Sequence, residues 1–284
     1  MAEKKVTARK AKKVPRAKKV IHVPPEQHIP IPNELNVYNL DGKVERSVEL
    51  PQVFSSEFRP DLIKRAVIAF RANRRQAYGP SPKSGMRHSV RWSGKGQGVS
   101  RVPRIRGTMI GAQAPGTKSG RRAHPPTPQK IWAQKINVKE RKKARNAALA
   151  AICDPNRVRK RGHIFDAKIT LPIIVVDDIE KTDTTTKALE VLKALKVIDD
   201  MERSRERKTL RAGRGKMRGR MFRMRRSLLL VVNNTSRVRR GFGNLPGIDI
   251  TTPAGLNAEA LAPGGDPGRL TAFSEGAFAK IRSW

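Results

Sequence analysis

The chain has 284 residues, 30% of them charged, and a formal net charge of +37 that puts its isoelectric point near 11.5. That balance points to a polyanionic partner. One cysteine, Cys153, excludes an internal disulfide and a zinc site of clustered cysteines; the five histidines have no helical pairing to clamp a metal, and no apolar run is long enough to span a bilayer.

Residues 1–32 read as a basic, Pro-rich N-terminal extension. It lacks the apolar stretch of a secretory signal, so the protein is expected to stay inside the cell. Residues 33–284 read as a single α/β domain. NVYNLDG, near residue 36, is a short strand entering a turn, and KVERSVEL continues with alternating character. A helix follows, with Pro60 in its first turn and an apolar stripe of Leu62, Ile63, Ala66, Val67 and Phe70; Tyr78-Gly79-Pro80 stops it. Residues 81–131 show neither helical nor strand periodicity and are rich in Gly, Pro, Ser, Lys and Arg, the composition of a long loop inserted in the domain. Without a core of its own, such a loop is expected to order by threading through folded RNA.

A second helix is expected from Asn137, with Glu140 three residues on as a capping partner and an alanine face of Ala144, Ala147, Ala148 and Ala151. After Asp154–Pro155 the chain alternates strand and helix. PIIVVDD (172–178) and SLLLVV (227–232) are buried strands, and residues 184–197 form a helix with Leu189, Leu192 and Leu195 inward. GIDIT (247–251) and RLTAF (269–273) are further strands, followed by the helix-start signals Thr252–Pro253 and Ser274–Glu275. This order predicts an α/β fold, a mostly parallel sheet covered by helices on both faces, carrying a long extended basic loop and a basic N-terminal tail.

The charge is localised. Residues 1–19 carry nine Lys and Arg against one acid, residues 62–139 eighteen and no acid, and residues 203–226 twelve against one acid. These three stretches hold the entire net charge, and the remainder of the chain is neutral. A solvated charged face interleaves Glu and Asp with its cations, so three acid-poor segments on a neutral domain indicate a nucleic-acid partner.

Two motifs raise the question of an enzyme. GAQAPGTKS (111–119) has the glycine separation of a phosphate-binding P-loop, followed by Lys118–Ser119. However, Thr117 displaces the lysine, RVPRIRGTMI ahead is too basic and proline-broken for a buried strand, and SGRRAHPPTP behind it cannot open a helix. GKGQG (94–98) fails in the same way as a dinucleotide fingerprint. Asp177 and Asp178 end a buried strand where a magnesium ligand would sit; they are expected instead to cap the next helical segment. Neither a catalytic residue, a metal ligand nor a cofactor is assigned.

WSGKGQGVSRVPRIRG, then GAQAPGTKSGRRAHPPTPQKIWAQKINVKERKKARNAALAA, IIVVDDIEK, RAGRGKMRGR and LTAFSEGAFAKI together resemble ribosomal protein four of the large subunit, in its archaeal and eukaryotic form. The likeness covers about residues 33–284, and the N-terminal tract departs from it. The resemblance implies a structural, non-enzymatic component of the cytoplasmic ribosome that binds 23S-type large-subunit rRNA and supports subunit assembly. It implies an α/β domain on the outer side of the subunit and a loop reaching the peptide exit tunnel beside ribosomal protein twenty-two, where it meets the nascent polypeptide. On that reading the rRNA-binding residues are Arg87, Arg91, Trp92, Lys95, Gly96, Gln97, Arg101, Arg104, Arg106, Lys118, Arg121, Arg122 and His124 in the loop, and Arg211, Arg214, Lys216, Arg218 and Arg220 in the second run. Gly94, Gly98 and Gly120 belong to the same loop. Residues 107–117 carry no charge between two basic stems, which predicts a tip that emerges from the RNA; the resemblance implies that it emerges into the exit tunnel, with Met109, Ile110 and Gln113 facing it. The alternatives are a DNA- or chromatin-binding basic protein, for which GRGKMRGR would serve as a minor-groove hook, and a magnesium-dependent nucleotide-utilising enzyme.

Overall fold

The structure, a computed structural model, describes residues 34–284; the reading of 1–32 as an extension lies outside the described residues. The chain opens with β1 (Glu34–Tyr38) and β2 (Val44–Glu49), an antiparallel hairpin that turns at Gly42 with φ +77°. β1 buries Leu35 and Val37, whereas β2 is an edge strand whose Glu45, Arg46 and Glu49 face water and blunt the edge against further pairing.

Helix α1 (Pro60–Asn73) follows, with Pro60 at its start and Ile63, Ala66, Val67 and Ala69 buried. Two three-residue strands, β3 (Val90–Trp92) and β4 (Pro103–Ile105), then pair antiparallel within the segment expected to be irregular. At three residues each, with an arginine at each centre and only Pro103 buried, they are hidden from a periodicity search. Helix α2 (Val138–Ile152) starts after Asn137 as expected, but the capping box does not close: Asn137 makes no side-chain cap, and Glu140 pairs across to Arg65 at 3.4 Å. A short helix α3 (Pro155–Lys160), capped by Asp154 on the Asn156 amide at 3.0 Å, was not anticipated.

The remaining elements build the sheet: β5 (Ile173–Val175), α4 (Thr185–Ala194), α5 (Ile198–Glu206), β6 (Thr209–Leu210), β7 (Phe222–Arg223), β8 (Leu229–Val231), α6 (Thr235–Phe242), β9 (Asp249–Thr251), α7 (Ala258–Leu261), β10 (Thr271–Ser274) and α8 (Glu275–Arg282). The helix expected over 184–197 stops early, because Lys196 adopts φ +52° and turns the chain into α5. Thr252–Pro253 opens a turn rather than a helix; Asn257 caps α7 through the Ala260 amide at 2.8 Å. Ser274 does start α8 as expected, accepting from the Ala277 amide at 3.4 Å.

Strand order in the six-stranded sheet is β2-β1-β5-β10-β8-β9, parallel throughout except for the β1–β2 edge. Successive residues of each strand point to opposite faces, and both faces are covered, which is why IIV and LLV are apolar without alternation. Leu35, Val37, Ile174, Leu229, Val231 and Phe273 join α1, α2, α7 and α8 in one core cluster. Tyr38, Ile173, Val175, Leu230 and Ala272 join α4, α5 and α6 in the other. Each fully buried Ile, Leu or Phe contributes about 1.5–3 kcal/mol. Neither cluster includes any residue between 81 and 131.

Candidate nucleic-acid interface

Between α1 and α2 the chain leaves and returns through a clamped stem. Asn73 Oδ1 accepts from the Gln134 amide at 2.8 Å, and Tyr78 stacks on Trp132 with ring centroids 5.7 Å apart. The Arg75 guanidinium lies 3.7 Å and the Lys130 ammonium 4.5 Å from the Trp132 ring centre, cations drawn to the indole face. Gly79 is packed so tightly on Pro126 and Pro128 that a Cβ would strike them. Sequence reading missed this clamp; the signal available was a lone Trp in an aromatic-poor stretch.

Within the segment, β3 and β4 form a hairpin that Gly111 extends by a bridge to Arg104. The Ile105 amide bonds to Ile110 O at 3.0 Å, so residues 105–110 make a tight turn with Gly107 at φ +76°. Met109 and Ile110 stand at that turn, 66% and 60% exposed. Gln113 does not stand out with them. It is half-buried at φ +63°, and its amide nitrogen donates to Met86 O at 3.1 Å and His88 O at 2.5 Å.

Arg104 is likewise committed inward: its guanidinium donates to Ser93 Oγ at 3.1 Å, to Ser100 O and Oγ at 3.2 Å, and to the Met109 carbonyl. The stretch that looked like a P-loop is a compact turn, with Thr117 Oγ1 and the Thr117 amide on Ala114 O at 2.8 and 3.2 Å. Gly111 and Gly120 are glycines because Thr117 and Ala114 press on them, and after this stretch no helix begins until Val138. The stretch before it does hold strand β4, but Arg104 and Ile105 are only half-buried there.

The other predicted cations of this segment face outward. Arg87, Arg91, Lys95, Arg101, Arg106, Lys118, Arg121 and Arg122 are exposed and, among the described residues, have no carboxylate or side-chain hydrogen-bond partner. Trp92, Gly96, Gln97 and His124 are exposed beside them, with Trp92 68% accessible.

The second basic run forms a smaller excursion. It leaves α5, pairs β6 with β7, and turns through residues 214–218 to Gly219 at φ +75°. Arg211, Arg214, Lys216, Arg218 and Arg220 are all exposed on it, again with no carboxylate partner among the described residues. Its base is fixed by a buried cluster. Asp200, fully buried, receives Ser227 Oγ at 2.8 Å, the Ile164 amide at 3.1 Å, His163 Nδ1 at 3.0 Å and Arg203 Nη2 at 2.9 Å. Arg203 also donates to Arg226 O at 3.1 Å, and Ser204 Oγ to Arg225 O. Burial pushes His163 below its ordinary range, with Asp200 pulling the other way. Burial pushes the Asp200 carboxyl up, but the His163 hydrogen bond and the charges of His163 and Arg203 outweigh it and hold it low.

At the carboxyl ends of the strands, Asp177 does cap a helix, but not the next one. Its Oδ1 accepts from the Gly276 amide of α8 at 2.7 Å. Asp178 caps nothing; it pairs with Lys181 at 2.6 Å on the surface. Glu180 ties neighbouring strand ends together, accepting from the Asn233 amide at 2.7 Å and from Ser274 Oγ at 2.8 Å. Among the described residues no group of three or more His, Cys, Asp or Glu could hold a metal ion, and no helix is long and apolar enough to cross a membrane. The Cys153 thiol is buried and its ionisation pushed up, so it is no nucleophile.

The model of the ribosomal protein L4/L1 family matches residues 48–284. The chain belongs to that family. It is 46% identical over 248 residues to the large ribosomal subunit protein uL4 of Archaeoglobus fulgidus, covering 87% of this chain and 98% of that protein. It is 43% identical over 249 residues to uL4 of Haloquadratum walsbyi, covering 87% and 98% of the two chains. Against uL4 of Methanopyrus kandleri it is 41% identical over 249 residues, covering 86% and 96%. As a member of the L4/L1 family it is a structural protein of the large subunit of the cytoplasmic ribosome and not an enzyme, which removes the nucleotide-utilising alternative.

Proposed function

We propose that this L4/L1 protein binds large-subunit rRNA through its two described acid-poor segments, and that residues 81–131 form an RNA-embedded loop reaching and partly lining the polypeptide exit tunnel. The observation that carries the reading is the state of the cations. Elsewhere several arginines of the fold pair with carboxylates, as in Arg59–Asp61 at 2.8 Å and Arg157–Asp154 at 2.8 Å. On the two excursions the predicted cations, Arg104 excepted, stand exposed and unpaired, a form of charge that gains most by displacing counterions from phosphates.

Arg104 and Gln113 then act by shaping the loop that presents the others. Met109 and Ile110, uncharged and exposed at a tight turn, suit a surface past which a nascent polypeptide slides without electrostatic capture. Ribosomal protein twenty-two is the neighbour this reading expects at the narrow point. Supporting subunit assembly follows from the same contacts, since ordering a long basic loop also orders the RNA around it. The test is the salt dependence of binding to large-subunit rRNA. If about half of the exposed cations engage phosphates, log K should fall against log salt with a slope of roughly −4 to −6. A slope near zero would overturn the reading.

A further inference from the structure

The basic excursion and the last strand of the sheet enclose an open cleft of about 970 Å³, which neither sequence reading nor the family assigns. On one wall stand Arg205, Lys208 and Arg225; on the other runs the turn from Gly243 to Asp249 leading into β9, the sheet's outer strand. Asp249, the carboxylate on that wall, is already neutralised by Arg226 and by Arg269 at 2.8 Å. Gly247, at φ +79°, presses on Ser204 so closely that no side chain fits, which fixes the distance between the walls. A second cleft of about 500 Å³ shares Arg226, Gly243, Ile248 and Asp249 with the first and continues to Arg74, beside the stem of the long loop. One groove therefore joins the roots of the two basic excursions, cationic at the larger cleft and closed at its far end by the Arg74–Glu259 pair at 2.5 Å.

The floor of the larger cleft is not wholly cationic. Phe222 and Met224 face it and are 48% and 47% exposed. Phe222 is held in place: Leu210 pairs with it across the small hairpin, and the Lys208 ammonium sits 4.2 Å from its ring centre. A cation over one face leaves the ring's other surface for a flat apolar partner. An RNA duplex keeps its bases inside the stack and would offer this ring nothing. An unpaired strand offers both phosphates for the arginines and a base for the ring.

We infer that this groove receives an unpaired stretch of rRNA, with one base stacked on Phe222 and its flanking phosphates on Arg205, Lys208 and Arg225. The inference rests on the rRNA-binding reading above and adds the subsite and the kind of strand it takes. The test uses the full chain and two probes of about ten nucleotides, a single-stranded oligoribonucleotide containing 2-aminopurine and an RNA duplex of the same sequence. Phe222→Ala should weaken single-strand binding about tenfold and abolish the 2-aminopurine quenching, with duplex binding changed less than twofold. Phe222→Trp should restore both signals. Arg205→Gln with Lys208→Gln should weaken both probes and lower the salt slope by about 2. Equal losses for both probes in Phe222→Ala, or no loss for either, would overturn the stacking site. Wild-type protein that binds the duplex but not the single strand would overturn this inference alone; protein that binds neither would overturn the rRNA reading with it.

Discussion

Replacing Asp200 with alanine should cost this protein a large part of its stability, because the residue anchors the base of the second basic excursion. Its carboxylate is fully buried and receives four groups, from His163, Ile164, Arg203 and Ser227. Removing it strands the Arg203 guanidinium, whose side chain is 8% exposed, without its counter-ion. Breaking a buried ion pair from one side costs about 3–5 kcal/mol. The Ile164 amide and Ser227 hydroxyl lose their acceptor as well, at about 1–3 kcal/mol each, but the terms share one site and do not add in full. A total of about 4 kcal/mol is a large share of the roughly 5–15 kcal/mol that holds a domain together. At about 2–4 °C per kcal/mol for a chain of this size, Tm should fall by roughly 8–16 °C. Circular dichroism melts of the free protein measure it. Arg203→Met with Asp200→Ala should recover part of the loss, because the stranded charge has gone. A single mutant that melts within about 2 °C of wild type would show that the buried Asp200 cluster does not hold the fold together.

The same cluster sets an acid sensitivity. His163 is held below its ordinary 6.5, so as pH falls through and below that value the unfolded chain takes up a proton that the native one resists, and stability declines. Asp200 is held below its ordinary 3.8, so its contribution is intact above that value and is lost as pH drops further, toward its folded-state pKa.

At the strand ends, Asp178→Asn should change stability by less than about 0.5 kcal/mol, because its partner Lys181 is exposed, whereas Asp177→Ala should cost about 1 kcal/mol through the α8 amide it caps; urea unfolding separates the two. A short Gly/Ser bridge from Gly79 to Gln134 should still give a cooperative melt, since neither core cluster uses residues 81–131, and a molten chain would contradict this. A photo-crosslinker at position 110 should label nascent chains in stalled ribosomes. At position 113 it should label far less and loosen the loop, because Gln113 is spent on Met86 and His88; labelling of rRNA alone from position 110 would remove the tunnel role from these residues.

The sheet was legible because burial on both faces leaves a plain mark: IIV and LLV have no polar residue to spare, and α1 and α2 carry one-sided stripes. Helix boundaries set by backbone geometry were not. Lys196 ends α4 in a left-handed conformation that no composition rule assigns to lysine, and the hairpin β3–β4 is held by Arg104 bonds rather than by apolar alternation. The cations of the interface were visible as charge without acid. What the sequence did not show was which of them fold the loop. Arg104 and Arg101 look alike in the chain, yet one is buried in hydrogen bonds and the other stands free among the described residues. Nor could it show that Asp177 reaches the far helix α8, a contact between residues 99 apart.

If the exposed, acid-poor excursions are the rRNA-binding surface, they should be the part of the protein that meets RNA in the assembled subunit. Ultraviolet crosslinking of assembled large subunits, read by mass spectrometry of the RNA-linked peptides, tests it residue by residue. RNA-linked peptides should concentrate in residues 81–131 and 205–226, with few from the face formed by α4. Crosslinks spread evenly over the chain, or concentrated on α4 with the two excursions unlabelled, would contradict it.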